Sequence, residues 1–226
     1  MPIGSLVNAI TVLVGSAIGM SLRHKFPQKI QAIIFQAVGL ATLVLGMKMA
    51  LQSENFLVLI FSLIGGGIWG ELSRLDMRLE KLGEFLKASL GAQDERFTEG
   101  LVTAFLIFCV GSMTFVGALN EGLSGDRTLI FTKAILDGFT SMALASVYGG
   151  GVLLSALPLF LVQASISLLA RQFQGFFTPL LINQLSAVGG VLILGIGINL
   201  LEIKQIKTTS LLPALVVVVI LTWFFL

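Results

Sequence analysis

Asp137 stands inside the apolar run TLIFTKAILDGFTSMALASVY, four residues after Lys133, and the preceding run GSMTFVGALNEG carries Ser112, Thr114, Asn120 and Glu121. An ionised carboxylate near the middle of a membrane-length helix costs about 2.5–3.5 kcal/mol on insertion scales, so it calls for a partner, a water-filled cavity or a transported ion. Hydroxyl, amide and carboxylate oxygens are the donors that hard cations prefer, and a carboxylate also holds a proton. Residues of these types point to a proton or cation site, with Asp137 as its charge and Ser112, Thr114 and Asn120 as neutral ligands. Lys133 decides how far that goes. At four-residue spacing the two share a helix face. If they neutralise each other, Asp137 is structural; if Lys133 lies among the outer headgroups, Asp137 sits about 6 Å deeper and partly alone. The second arrangement is the one expected for a transport site.

Other polar residues could complete such a lining. Asn8 lies in the first apolar run, Gln163 in the sixth, and Asn183, Gln184 and Asn199 in the seventh. Each amide either ties helices together, for roughly 1 kcal/mol, or faces a polar path. Asn8 and Asn183 are the two assigned to the lining. Gly111-Ser112-Met113-Thr114, with Gly117 beyond, suggests local unwinding, because Ser and Thr hydroxyls satisfy carbonyls that a loosened helix frees. Close helix packing through small residues is the competing explanation.

Enzyme chemistry finds little support. The single histidine, His24, stands in a basic loop, and Cys109 has no histidine in its own run, so no metal site, catalytic nucleophile or cofactor is expected. Gly65-Gly66-Gly67 with Gly70 lacks the Lys-Ser/Thr tail of a phosphate loop.

The elements that position these residues follow from composition. Of 226 residues 56% are hydrophobic and only 12% charged, and the mean hydropathy is +0.99. Soluble domains carry about 25% charged residues, so this is an integral membrane protein, with the bilayer as its first partner and no nucleic-acid partner expected. The apolar runs are about 20 residues long, as a helix needs to cross some 30 Å of hydrocarbon. An all-α bundle of eight spans is expected, at about 4–22, 29–51, 55–72, 100–119, 128–147, 150–170, 178–200 and 208–226. The first reads as a retained span, since no basic residue precedes it and no cleavage site follows.

Basic residues orient the spans. Arg23, His24, Lys25 and Lys29 place the first loop inside and the N-terminus outside; the 71–99 segment, with Arg74, Arg78, Lys81, Lys87 and Arg96, and the loop with Lys204 and Lys207 also fall inside. The loop with Arg127 is the exception. Leu72, Leu75, Leu79, Leu82 and Leu86 recur at three- and four-residue spacing, which predicts an amphipathic helix lying on the inner surface or against the bundle.

Faint internal duplication organises the whole. Ala37-Val38-Gly39 with Leu45-Gly46 resembles Ala187-Val188-Gly189 with Ile196-Gly197 once one gap is allowed. Spans one to three start outside and six to eight inside, so the duplicated trios form an inverted repeat, the plan of many transporters with midplane sites. The expected organisation is therefore 1–73 as the first repeat, 74–99 as the cytoplasmic segment, 100–149 as a two-helix polar core and 150–226 as the second repeat.

The motifs GSLVNAITVLVGSAIG, GSMTFVGALNEGLSGD, TKAILDGF and GIGINLLEIKQIK together resemble the YdfK-like membrane proteins, grouped as domain of unknown function 554. The resemblance runs over essentially the whole chain and implies a multi-pass protein of the bacterial inner membrane. It supplies no activity and no ligand residue. The functional expectation thus rests on the residues: passage of a small solute, monovalent cation or proton through a polar centre of Asp137, Ser112, Thr114, Asn120, Glu121, Asn8 and Asn183, in a homodimer or small oligomer. A non-transporting structural or regulatory subunit, binding a partner through its inner helix, is the alternative.

Overall fold

The computed structural model describes residues 2–23, 28–89, 96–173 and 175–225, and every regular element among them is an α-helix. In chain order these are α1 (Ile3–Arg23), α2 (Gln28–Ala50), α3 (Phe56–Leu72), α4 (Leu75–Ser89), α5 (Phe97–Cys109), α6 (Ser112–Ser124), α7 (Thr128–Tyr148), α8 (Gly150–Leu154), α9 (Ala156–Leu168), α10 (Ala170–Phe173), α11 (Pro179–Leu200) and α12 (Ala214–Phe225). His24, Lys25 and the side chains of Arg23, Leu82, Leu86, Lys87 and Ser112, all used in the sequence argument, lie outside the described residues.

The eight stretches expected as spans are helical through all or most of their length. Four helices, Ile3–Leu22, Thr128–Tyr148, Gly150–Leu168 and Pro179–Leu200, are long and apolar enough to cross a bilayer. The number rises to six if Phe56–Leu72 with Leu75–Lys81, bent by 62°, and Phe97–Cys109 with Met113–Ser124, bent by 56°, each count as one span. Gln36–Ala50 and Ala214–Phe225 are apolar but shorter.

Local chemistry explains the breaks. At the α5–α6 bend the Thr114 hydroxyl donates to the Phe108 carbonyl at 2.6 Å, satisfying an acceptor that the interrupted ladder frees. Pro158 has no N–H for the carbonyl four residues back, and the helix yields just before it, at Ser155, whose hydroxyl donates to Val152 O at 2.6 Å. After α3 the chain turns through Arg74 at φ 49°, and α4 leads away with Leu75 and Leu79 half-buried and Arg78, Glu80, Lys81 and Glu84 exposed. A helix is present over 75–89, but it does not continue α3: the chain bends by 62° after Leu72, which is exposed, so of the described leucines in the series only Leu75 and Leu79 are half-buried on it.

α11 ends in a Schellman motif. Glu202 N–H donates to Asn199 O at 3.0 Å and Ile203 N–H to Ile198 O at 3.2 Å, with Glu202 in the left-handed region at φ 56°. Glycine holds that conformation without steric cost, so Glu202→Gly is expected to stabilise by about 0.5–1 kcal/mol, seen as a raised melting midpoint in detergent. Asn199 seals the following loop, donating to Ile206 O at 2.8 Å and accepting from Ile206 N–H at 2.7 Å.

The helices form two compact units, Met1–Ile34 with Lys87–Phe177, and Phe35–Leu86 with Thr178–Leu226. These cut across the segments expected from sequence: α1 belongs with the central helices and α9, whereas α2 and α3 share a unit with α11 and α12. In the first unit α1 lies parallel along α7, with Gly4 against Ile130, Thr11 against Gly138, Gly15 against Gly138 and Ser141, and Gly19 against Met142. Glycines here remove the side chain that would hold the two backbones apart.

In the second unit the pairs are antiparallel. Gly39, Leu43, Gly46 and Ala50 of α2 meet Leu201, Gly197, Leu194 and Gly190 at α11, so the contact positions on both helices are spaced four, three and four residues apart. Gly66, Gly67 and Gly70 of α3 meet Ala214, Leu211 and Ser210, in the opposite chain direction. Polar ends lock the arrangement. Gln184, fully buried, donates to Asn55 O at 3.2 Å and accepts from the Ser53 hydroxyl at 3.0 Å, while Asn55 caps α3 by accepting from Leu57 and Val58 N–H. At the other end Lys207 donates to Glu71 at 2.8 Å, which holds its ammonium above the usual lysine range.

Candidate functional site

The first unit gathers four polar side chains from three helices. Asn8 of α1 donates through Nδ2 both to Asp137 Oδ2 of α7, at 3.0 Å, and to Gln163 Oε1 of α9, at 3.2 Å. Lys133 Nζ also donates to Asp137 Oδ2, and its ammonium stands 5.8 Å from the centroid of the Phe108 ring. Asn8 and Gln163 are fully buried, Lys133 is 4% exposed and Asp137 6%. Lys133 is therefore bonded to Asp137 inside the bundle and does not leave the carboxylate partly alone, as the transport expectation supposed. It is held in the interior by the carboxylate and the ring, because an ammonium inside an apolar bundle needs both a counter-charge and a π-face.

The cluster is not fully satisfied. Asn8 Oδ1 and Gln163 Nε2 have no hydrogen-bond partner among the described residues, although both are fully enclosed. One is an acceptor and the other a donor. Leaving a buried polar atom unpaired costs about 1–3 kcal/mol, so such groups usually serve water or a guest. The Lys133–Asp137 pair is neutral as a whole, and beside it stands unused capacity to receive one hydrogen bond and to give one.

Glu121 has a different task. Its Oε1 accepts from Gly4 N–H at 2.6 Å and Arg127 Nε at 3.2 Å, and its Oε2 from Ser5 N–H at 3.3 Å and the Ser5 hydroxyl at 3.1 Å. The carboxylate sits at the start of α1, where free N–H groups and the positive end of the helix dipole favour an anion. Both oxygens are engaged as a cap. Next along the chain Asp126 accepts from Thr128 N–H at 2.9 Å, which holds its carboxyl below the usual range.

The remaining expected site residues spread more widely. Thr114 spends its hydroxyl on Phe108 O, as described, and Asn120, half-buried, accepts the Ser124 hydroxyl on its carbonyl at 2.8 Å. Ser112 opens α6, but its side chain lies outside the described residues. Asn183 belongs to the second unit, where it donates to Glu54 at 2.7 Å. Of the proposed lining, the structure thus joins Asn8 and Asp137 directly and adds Lys133 and Gln163. Gln163 carried a sequence signal, an amide in an apolar run, but 155 residues separate it from Asn8.

Apolar helices of spanning length around a buried ion pair and amides define a polytopic α-helical membrane protein. The family model described as "Protein of unknown function (DUF554)" matches residues 3–223, and the chain belongs to that family. It is 38% identical over 219 residues to the "Uncharacterized membrane protein YdfK" of Bacillus subtilis (strain 168), covering 95% of this chain and 93% of that one. It is 29% identical over 220 residues to the "Uncharacterized protein YqgA" of Escherichia coli (strain K12), covering 95% and 94%. No solved structure matches the chain.

Proposed function

We propose that the protein passes a small solute, monovalent cation or proton across the bacterial inner membrane, with Asn8, Lys133, Asp137 and Gln163 as its polar centre. The observation that carries this reading is the pair of enclosed, unused hydrogen-bonding atoms, Asn8 Oδ1 and Gln163 Nε2, beside a buried ion pair. A bundle that needed only cohesion would be served as well by apolar side chains. Lys133 then acts as an internal counter-ion: it neutralises Asp137 when no passenger is present and moves aside when the carboxylate takes a proton or another cation.

Eight spans in inverted trios fit this function, and the packing supports that plan. The α2 and α11 contact positions repeat with identical spacing and run antiparallel, as an axis in the membrane plane demands. Within the second unit the bonded loops also fall at alternating ends: Gln184 with Ser53 and Asn55 at one, Lys207 with Glu71 at the other.

The closed Lys133–Asp137 pair favours a second reading, in which the cluster only fixes helix packing in a structural or regulatory subunit. Flux in proteoliposomes separates the two. Asp137→Asn is expected to abolish passage of the ion that the parent carries; flux unchanged by the substitution would remove the site, and no passage of any ion or solute by the parent would favour the subunit.

A further inference from the structure

Tyr148 is the only tyrosine of the chain and is fully buried at the end of α7. It faces Thr103 and Glu99 of α5, yet neither its hydroxyl nor that of Thr103, 1% exposed, closes a hydrogen bond among the described residues. Arg96 grips Glu99 through two bonds of 2.7 and 2.8 Å and lays its guanidinium 5.1 Å from the centre of the Tyr148 ring. The Arg96 and Glu99 side chains are 30% and 35% exposed, so this cluster opens outward while its two hydroxyls point inward. Gly100 and Gly151 make room for it, packing on Tyr148 and on the Phe97 backbone.

The cluster repeats the composition of the first. Each holds a carboxylate, a fixed cation paired to it, and enclosed donors or acceptors left over. The register of α7 connects them: Tyr148 follows Asp137 by eleven residues, three helical turns, which puts both on one face about 16 Å apart. Ser141 is buried one turn beyond Asp137, and Leu144 and Ala145 fill the turn after it. Across from Ser141 stands Gly15 of α1, and the next residue, Ser16, is another enclosed hydroxyl without a partner. Among the described residues, five unsatisfied buried atoms therefore lie in the side chains of α1, α5, α7 and α9 between the capped start of α1 and the Arg96–Glu99 pair.

We infer that Glu99, Thr103 and Tyr148 form a second station on the path through Asp137, and that the passenger is a proton carried over enclosed water. This rests on the reading of the first cluster as a conduit. The cation already paired at each station repels an added metal ion. A proton, in contrast, joins the carboxylate as a neutral acid, and hydroxyls and water both give and accept it. In each transfer one O–H bond breaks as the next forms, and the hydroxyls and waters turn back before the next proton passes. Leu144 and Ala145 interrupt the file, which makes the passage gated instead of open.

The test uses the full-length protein in liposomes with a pH-sensitive dye inside and a potassium gradient clamped by valinomycin; rubidium uptake is measured in separate vesicles without the ionophore, which itself carries rubidium. Parent vesicles are expected to acidify without taking up rubidium. Tyr148→Phe, which removes one oxygen, is expected to slow acidification about tenfold or more, and Thr103→Val to slow it as well, with both variants eluting as the parent in detergent. Parent rates in both variants would overturn the second station. Rubidium uptake abolished by Asp137→Asn, without proton movement, would overturn the proton while leaving the conduit intact. An absence of all flux would overturn both.

Discussion

Lys133→Met is expected to remove about 3–5 kcal/mol of stability, because it leaves the Asp137 carboxylate buried without its counter-charge. Asp137→Leu should cost a similar amount, since it strands the ammonium. The double variant is the informative one. Taking away both charges at once removes two desolvation penalties along with the attraction, so its stability should return to within about 1–2 kcal/mol of the parent. Asn8 keeps its bond to Gln163 in that background. Denaturant unfolding of all four proteins in one detergent measures the coupling, and a double variant as unstable as the sum of the singles would show that the pair is not an isolated unit. Flux then adds what stability alone does not. A conduit needs the carboxylate, so the stable double variant should carry nothing; a purely structural pair would leave every activity of the protein in place.

Gly15→Leu and Gly19→Leu are expected to be about as damaging, by overpacking. A side chain at Gly15 meets the Gly138 carbonyl and the Ser141 hydroxyl, and one at Gly19 meets the backbone of Met142. Overpacking a yielding core costs about 1–3 kcal/mol, and backbone yields less than side chains, so about 3 kcal/mol or more is expected at each position. The damage also reaches the site. Pushing α1 off α7 draws Asn8 from Asp137, which means flux should fall even in the fraction that remains folded. Gly65→Ala is the matched control, since its new methyl meets only Val217 Cγ1 at 3.6 Å. Melting midpoints in detergent that fall as far for Gly65→Ala as for the α1 variants would show that the effect is loss of glycine, not helix contact.

Much of this molecule is legible along the chain. Apolar runs of about 20 residues can only be helices in lipid, because each backbone group must find its partner within its own segment, and the leucine spacing after Glu71 can only serve a two-faced helix. The break beside Gly111 was only half readable, since a glycine followed by hydroxyls fits a loosened ladder and close helix packing alike until the Thr114 bond to Phe108 O is seen. Asp137 was conspicuous for the same local reason: a charge in an apolar run demands compensation.

What compensates it was not readable, nor was the job of Glu121. A hydrogen bond has no signature at either end in sequence, and Asn8 meets Asp137 across 129 positions while Glu121 reaches Gly4 across 117. Tyr148 carries no signal along the chain; its neighbours Glu99, Thr103 and Arg96 are brought to it by α5 and the turn before it. Sequence by itself determined which segments are apolar helices and which residues are costly within them, because both follow from the transfer of single groups between water and lipid. Only the tertiary structure decided which costly groups pay for one another, capped the start of α1 with Glu121, sent Asn183 to Glu54 and left Asn8 and Gln163 with bonds to spare, because those outcomes depend on which helix faces lie together.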